Sequence, residues 1–195
     1  MFEKLFLDLR LTVIFGIFLA FILVVFFFYS GEPDLWLFLQ WLFRWIHVLS
    51  GIMWLGLLYY FNFVQIPNLP LIPNDQKPAI TKFIAPAALW WFRWSASSTI
   101  FSGLILAHLN GYLIEAFLLR ENFWGIGLGM WMGTLMWFNV WFVIWPYQQK
   151  ALGIKETNPE DKINASKNAL LVSRFNTVLS FPMLVAMTVQ QNPFI

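Results

Sequence analysis

Cysteine is absent from the sequence, which excludes disulfides, thiolate metal sites and the C-x-x-C-H attachment of a covalently bound haem. Histidine is scarce, with only His47 and His108, so any redox centre must be held by these or by another non-thiol ligand. Charge is scarce too: 11% of the 195 residues are charged, and no acidic residue falls within the long apolar runs. That leaves no carboxylate for an intramembrane proton relay. No basic arm or aromatic stacking platform marks a nucleic-acid binder. Internal repeats, low-complexity tracts and a soluble domain are missing, and without a repeat or paired broken helices a secondary transporter is disfavoured. What is present is apolar: 59% hydrophobic residues, 22 Phe and 12 Trp, far from the composition of soluble domains. The net charge of +2 comes from segments between apolar runs and therefore reports topology.

The pattern predicts an all-α fold, a polytopic membrane helix bundle of about five transmembrane helices. These cover residues 11–29, 35–65, 86–109, 123–147 and 169–189 of one integral membrane domain, 1–195. A short amphipathic segment, MFEKLFLDLR, precedes Leu11–Tyr29, the most uniformly apolar run. That run is too long for a signal-peptide core and no A-x-A-like site follows, so it reads as a transmembrane helix, peripheral because it has no polar stripe. Asp34 is positioned to cap the second helix. Pro67, Pro70, Pro73 and Pro78 predict a loop, and Pro86 suits a first helical turn. Residues 110–122 read as a loop. Gly125, Gly129 and Gly133 form a small-residue seam for close helix approach, and a nucleotide-binding reading of Gly125 and Gly127 fails because no strand precedes them. Residues 148–167 form a polar loop in which Asn158-Pro159-Glu160-Asp161 reads as a cap, a first-turn proline and an acidic first turn. Pro182 predicts a kink in the last span.

With a cytoplasmic N-terminus, five spans put Lys4, Arg10, Lys77, Lys82, Lys150, Lys155, Lys162 and Lys167 inside, with Arg93 and Arg174 at inner helix ends. Arg120 falls outside, and the C-terminus is expected on the outer, periplasmic side. This is a positive-inside distribution.

Two polar layers result. On a helix, Gln40, Arg44, His47, Gly51, Trp54, Leu58, Asn62 and Gln65 fall along one stripe. Arg93, Ser97, Ile100, Leu104 and His108 form another on the third helix. Arg and His at bilayer depth cost roughly 2.5–3.5 kcal/mol each even on insertion scales, which makes them functional candidates. The plainer alternative is an Arg44 that snorkels to headgroups and a His47 that bonds a neighbouring helix. Two neutral imidazoles on neighbouring antiparallel helices suit haem b, with His47 and His108 as iron ligands and Arg44 for a propionate. His47 is expected to lie several residues deeper than His108, so one haem can take a single histidine. Copper or zinc would suit a histidine pair, but no third ligand sits at the required spacing. The inner layer gathers Asn62, Gln65, Arg93, Asn139, Arg174 and Asn176. It reads either as a site for a small anion or a quinone headgroup, or as lipid-phosphate contacts with amides tying the bundle together.

The stretch RWIHVLSGIMWLGLLYYFNFVQIP resembles the bacterial urate oxidase N-terminal domain family, the membrane part of a cytochrome-linked urate hydroxylase. ALWWFRWSASSTIFSG, WFNVWFVIWPYQQK and SRFNTVLSFPMLVAM add to the likeness, which covers most of residues 40–187. The R-x-x-H core with a downstream Trp (Arg44, His47, Trp54) is also similar to membrane protoporphyrinogen oxidases that bind haem b. The resemblance implies a helical membrane bundle in a bacterial inner membrane, haem ligation at His47 with Trp54 nearby, and electron transfer with a cytochrome or quinone partner. Urate-oxidising members carry a C-terminal cytochrome c domain, and this sequence is expected to be a short form without it; Phe175 stands where their last helix is expected to carry a His. A membrane oxidoreductase or redox subunit is thus the leading expectation. A non-catalytic scaffold, homo-oligomeric or an accessory subunit of a larger membrane complex, is the alternative.

Overall fold

The computed structural model describes residues 2–189, which are helical with no strand among them. The C-terminal end expected at the periplasm lies outside these residues. The chain divides into two compact units, one ending at Leu39 and one beginning at Gln40. In the first, α1 (Phe2–Leu7) is joined to α2 (Leu9–Tyr29) by a cap. Asp8 Oδ1 accepts from the N–H of Arg10 at 2.8 Å, and Thr12 Oγ1 donates to the Leu5 carbonyl at 2.8 Å. No residue of α2 is buried within its surroundings, as its lack of a polar stripe predicts. Asp34 caps the next helix as expected, accepting from Trp36 N–H at 2.7 Å and Leu37 N–H at 3.0 Å.

The remaining helices are longer than the prolines suggest. α3 runs Leu35–Leu71 and passes Pro67 and Pro70. α4 covers residues 77–109, beginning at Lys77 instead of near Pro86. α5 is a short helix, Leu113–Phe117, in what the sequence suggests is plain loop. α6 covers Trp124–Ala151 across Pro146, and α7 covers Pro159–Val189 in one piece across Pro182. Of the expected proline-rich loop only residues 72–76 are non-helical.

Three of these helices cross a proline by the same device. Wide, π-type segments occupy Tyr60–Gln65, Ile80–Ile84 and Asn139–Ile144, and each ends two residues before a proline: Pro67, Pro86 and Pro146. The residue just before each proline donates its N–H five residues back, Ile66 to Phe61, Ala85 to Ile80 and Trp145 to Val140. Proline breaks an α-helix because it lacks the N–H bound to the i−4 carbonyl and its ring crowds that carbonyl. Shifting the register by one residue widens the turn where the ring must fit, so the helix continues.

The second unit has one core, built from Trp54, Leu58 and Phe61 of α3, Leu89, Phe92 and Ala96 of α4, Met136, Val140 and Ile144 of α6, and Met183 of α7. α7 packs along α6, and α5 packs on the start of α6. Four helices are long and apolar enough to cross a membrane: α2, α3, α6 and α7. The expected fifth, α4, has the length but not the hydropathy. Its buried face is small and polar (Ser95, Ala96, Ser97, Thr99, Ser102, Ala107). Its hydroxyls bond internally: Thr99 to the Ser95 carbonyl at 2.8 Å, and Ser97 Oγ accepting from Trp137 and Trp141 at 3.1 and 2.8 Å. Elsewhere on the helix Trp90, Trp91, Trp94, Phe101 and Ile105 stay exposed.

Candidate functional site

Along α3 the polar stripe goes steadily inward. Arg44 is exposed, His47 and Gly51 are half-buried, and Trp54, Leu58 and Asn62 are buried. His47 meets α4. Its Nδ1 lies 2.8 Å from the Thr99 carbonyl oxygen, which can only accept, so Nδ1 carries the proton and donates. The neutral ring therefore presents Nε2 as a lone pair, the arrangement by which ligand histidines are commonly oriented. Gly103, one turn beyond Thr99, makes the room: a Cβ there would stand 2.8 Å from Cε1 and 2.9 Å from Nδ1 of the imidazole. Thr99 Oγ1 also donates to Ser50 Oγ at 3.1 Å, a second tie between the helices at this level.

The other outer-layer residues occupy different places. His108 is exposed in the last turn of α4, five residues past Gly103, or about 7.5 Å farther along the axis. Arg44, one turn before His47, acts electrostatically on Tyr112, the residue before α5. Burial pushes the Tyr112 phenol up, and the Arg44 guanidinium pulls the other way. Trp54 is 1% exposed in the core, two turns beyond His47, with no partner for Nε1 among the described residues. The residues present thus offer one oriented imidazole for a haem iron, with a cation one turn away. Among the described residues no group of three or more His, Asp or Glu could hold a metal ion.

The inner layer converges in part. Asn62 Nδ2 donates to the Leu58 carbonyl at 2.9 Å and to Ser173 Oγ at 2.8 Å. One turn along α7, Asn176, fully buried, accepts from Asn139 Nδ2 at 2.8 Å and donates to the Met136 carbonyl at 3.0 Å. Arg93 is buried on α4 with its guanidinium carbon 3.3 Å from the Trp145 ring centroid and 5.7 Å from that of Trp141. Gln65 is half-buried, and its Oε1 has no partner. Arg174 is exposed and takes no part in the layer, because the buried stripe of α7 runs Ser173, Asn176, Thr177, Ser180 and leaves residue 174 to one side.

Sequence reasoning missed Thr99, Gly103, Tyr112, Trp145 and Ser173. The Thr99 contact is a backbone carbonyl and leaves no trace in residue type. Ser173 was findable, since small residues at spacings of three and four on an apolar helix mark a packed face. The glycine seam operates within the chain: a Cβ at Gly129 would meet Ala186 and Met187 at 3.2–3.3 Å, one at Gly133 would meet Ile100 at 3.7 Å, and one at Gly127 would collide with the Ala116 carbonyl.

No curated protein and no solved structure matches the chain. Residues 112–195 match the family model described as urate oxidase N-terminal. The matched stretch includes Tyr112, Asn139, Arg174 and Asn176, and begins after His47, Arg93 and His108. Over residues 112–195 the chain is thus similar to the urate oxidase N-terminal family.

Proposed function

We propose that this is an inner-membrane haem b protein that exchanges electrons with a quinone or cytochrome partner, with His47 Nε2 as the iron ligand. The observation that carries the reading is the 2.8 Å contact from His47 Nδ1 to the Thr99 carbonyl. It fixes the tautomer, holds the ring plane and raises the basicity of the free nitrogen. Gly103 keeps the ring seated, and Arg44, a turn nearer the helix start on the same stripe, would pair with a propionate. His108, exposed and farther along α4, is assigned no bond to this iron and would serve as a propionate partner. When bound, haem b supplies one-electron exchange. In this reading α4 is the fifth span, its polar face satisfied inside the bundle. The lysines of residues 148–167 lie on the cytoplasmic side with the N-terminus.

The experiment is a reduced-minus-oxidised absorption spectrum of protein purified without added chelator and again after reconstitution with haemin. Soret and alpha bands at one haem per chain support the proposal, and their retention in His108→Ala supports single-histidine ligation. Absence of both bands after reconstitution overturns it and leaves the cofactor-free scaffold, for which native mass spectrometry should find one large assembly.

A further inference from the structure

Arg93 raises a question that haem ligation does not answer. It is only 9% exposed, and its Nε and Nη1 have no hydrogen-bond partner among the described residues. A buried charge ordinarily requires a counter-charge, and leaving its donors unmade is costly. The chain supplies none: of its ten acidic residues not one is buried, and none lies within residues 76–114, 122–155 or 162–189, which hold most of α4, α6 and α7. The guanidinium is instead stacked on Trp145, which stabilises the cation through its face and leaves its N–H edges free. Buried donors left without partners beside an aromatic face indicate that an acceptor-bearing group belongs there.

We infer that Arg93 is an oxyanion-binding site, in which a carboxylate or phosphate group is received by the guanidinium edge while Trp145 holds the guanidinium plane. Arginine suits this because its planar fork matches two oxygens of one anionic group, whereas a lysine would offer only a point charge. A soluble carboxylate or phosphate and the phosphate of a lipid headgroup share this chemistry. The site is independent of His47 and stands or falls without haem.

The test is thermal unfolding of the full chain in an uncharged maltoside detergent, titrated with sodium lactate or inorganic phosphate against sodium chloride at equal ionic strength. A parallel arm compares phosphatidylglycerol with phosphatidylcholine nanodiscs. A ligand that binds only the folded state raises the midpoint with concentration. A saturable rise with lactate or phosphate beyond that with chloride identifies a soluble anion; a rise confined to phosphatidylglycerol identifies a lipid phosphate. In either case Arg93→Gln should weaken the response at least tenfold and Arg93→Lys should restore only part of it. Should Arg93→Gln fail to fold, Trp145→Leu, which keeps the guanidinium and removes its platform, should weaken the response several-fold. No rise in either arm, an equal rise with chloride, or variants that respond as the wild type does would overturn the inference.

Discussion

Replacing Gly103 by alanine tests whether the His47 imidazole sits where the proposed ligand role needs it. In a helix, Gly→Ala alone gains about 0.8–1.0 kcal/mol, and at Gly56, where an added Cβ meets nothing within 4 Å, that gain should appear in full. At Gly103 the same methyl stands 2.8 and 2.9 Å from two ring atoms of His47, and the ring cannot recede without giving up its 2.8 Å bond to Thr99. Either that bond is lost, at about 1 kcal/mol, or α3 and α4 move apart, an overpacking cost of about 1–3 kcal/mol. With the propensity gain set against these, Gly103→Ala should be destabilised by ~0–2 kcal/mol and lie ~1–3 kcal/mol below Gly56→Ala. Unfolding of both variants in mixed micelles over a sodium dodecyl sulfate titration measures the difference. The placement of His47 is refuted if Gly103→Ala gains as much stability as Gly56→Ala does.

Other consequences follow from the packing. Gly127→Ala would drive a Cβ into the Ala116 carbonyl, a backbone atom with no rotamer to change; it should cost more than Gly129→Ala, whose Cβ meets flexible Met187 atoms at 3.3 Å, and the monodisperse yield on size-exclusion chromatography should rank them so. Asn176→Ala leaves Asn139 Nδ2 unpaired and removes the side-chain donor from the Met136 carbonyl; at about 0.6 to 1.7 kcal/mol per hydrogen bond between membrane helices, the loss should be ~1–3 kcal/mol in the same titration. Tyr112 predicts a pH dependence. Its phenol is raised above the usual value of 10.0, chiefly by burial, so its contribution is fully present below about pH 10 and is lost as pH climbs through the raised value. Ultraviolet phenolate titration should show a late-ionising component that is missing in Tyr112→Phe.

The legible parts of the fold were those written in local chemistry. Asp34 and Asn158 cap helices as their residue types suggest, Asn158 Oδ1 accepting from Asp161 N–H at 2.7 Å, and the apolar runs show where helices lie. Helix ends were not legible, because Pro67, Pro86 and Pro146 look like breaks unless the preceding turn is known to widen. The sequence gathered Asn62, Arg93, Asn139 and Asn176 into one inner layer, and all four are buried. It misplaced Arg174, since a charge on an apolar helix draws attention while the stripe that packs is small and polar. It likewise passed over Gly127 in favour of its regularly spaced neighbours, because the carbonyl it abuts comes from Ala116 of α5, in what looks like loop.

The most direct test of the account is the Soret spectrum of His47→Ala with and without added imidazole. Ligation through Nε2 predicts that reconstituted wild type shows a Soret band, that His47→Ala loses it, and that free imidazole, able to enter the space left beside Gly103, restores it. A band of wild-type intensity in His47→Ala without imidazole would contradict the assignment.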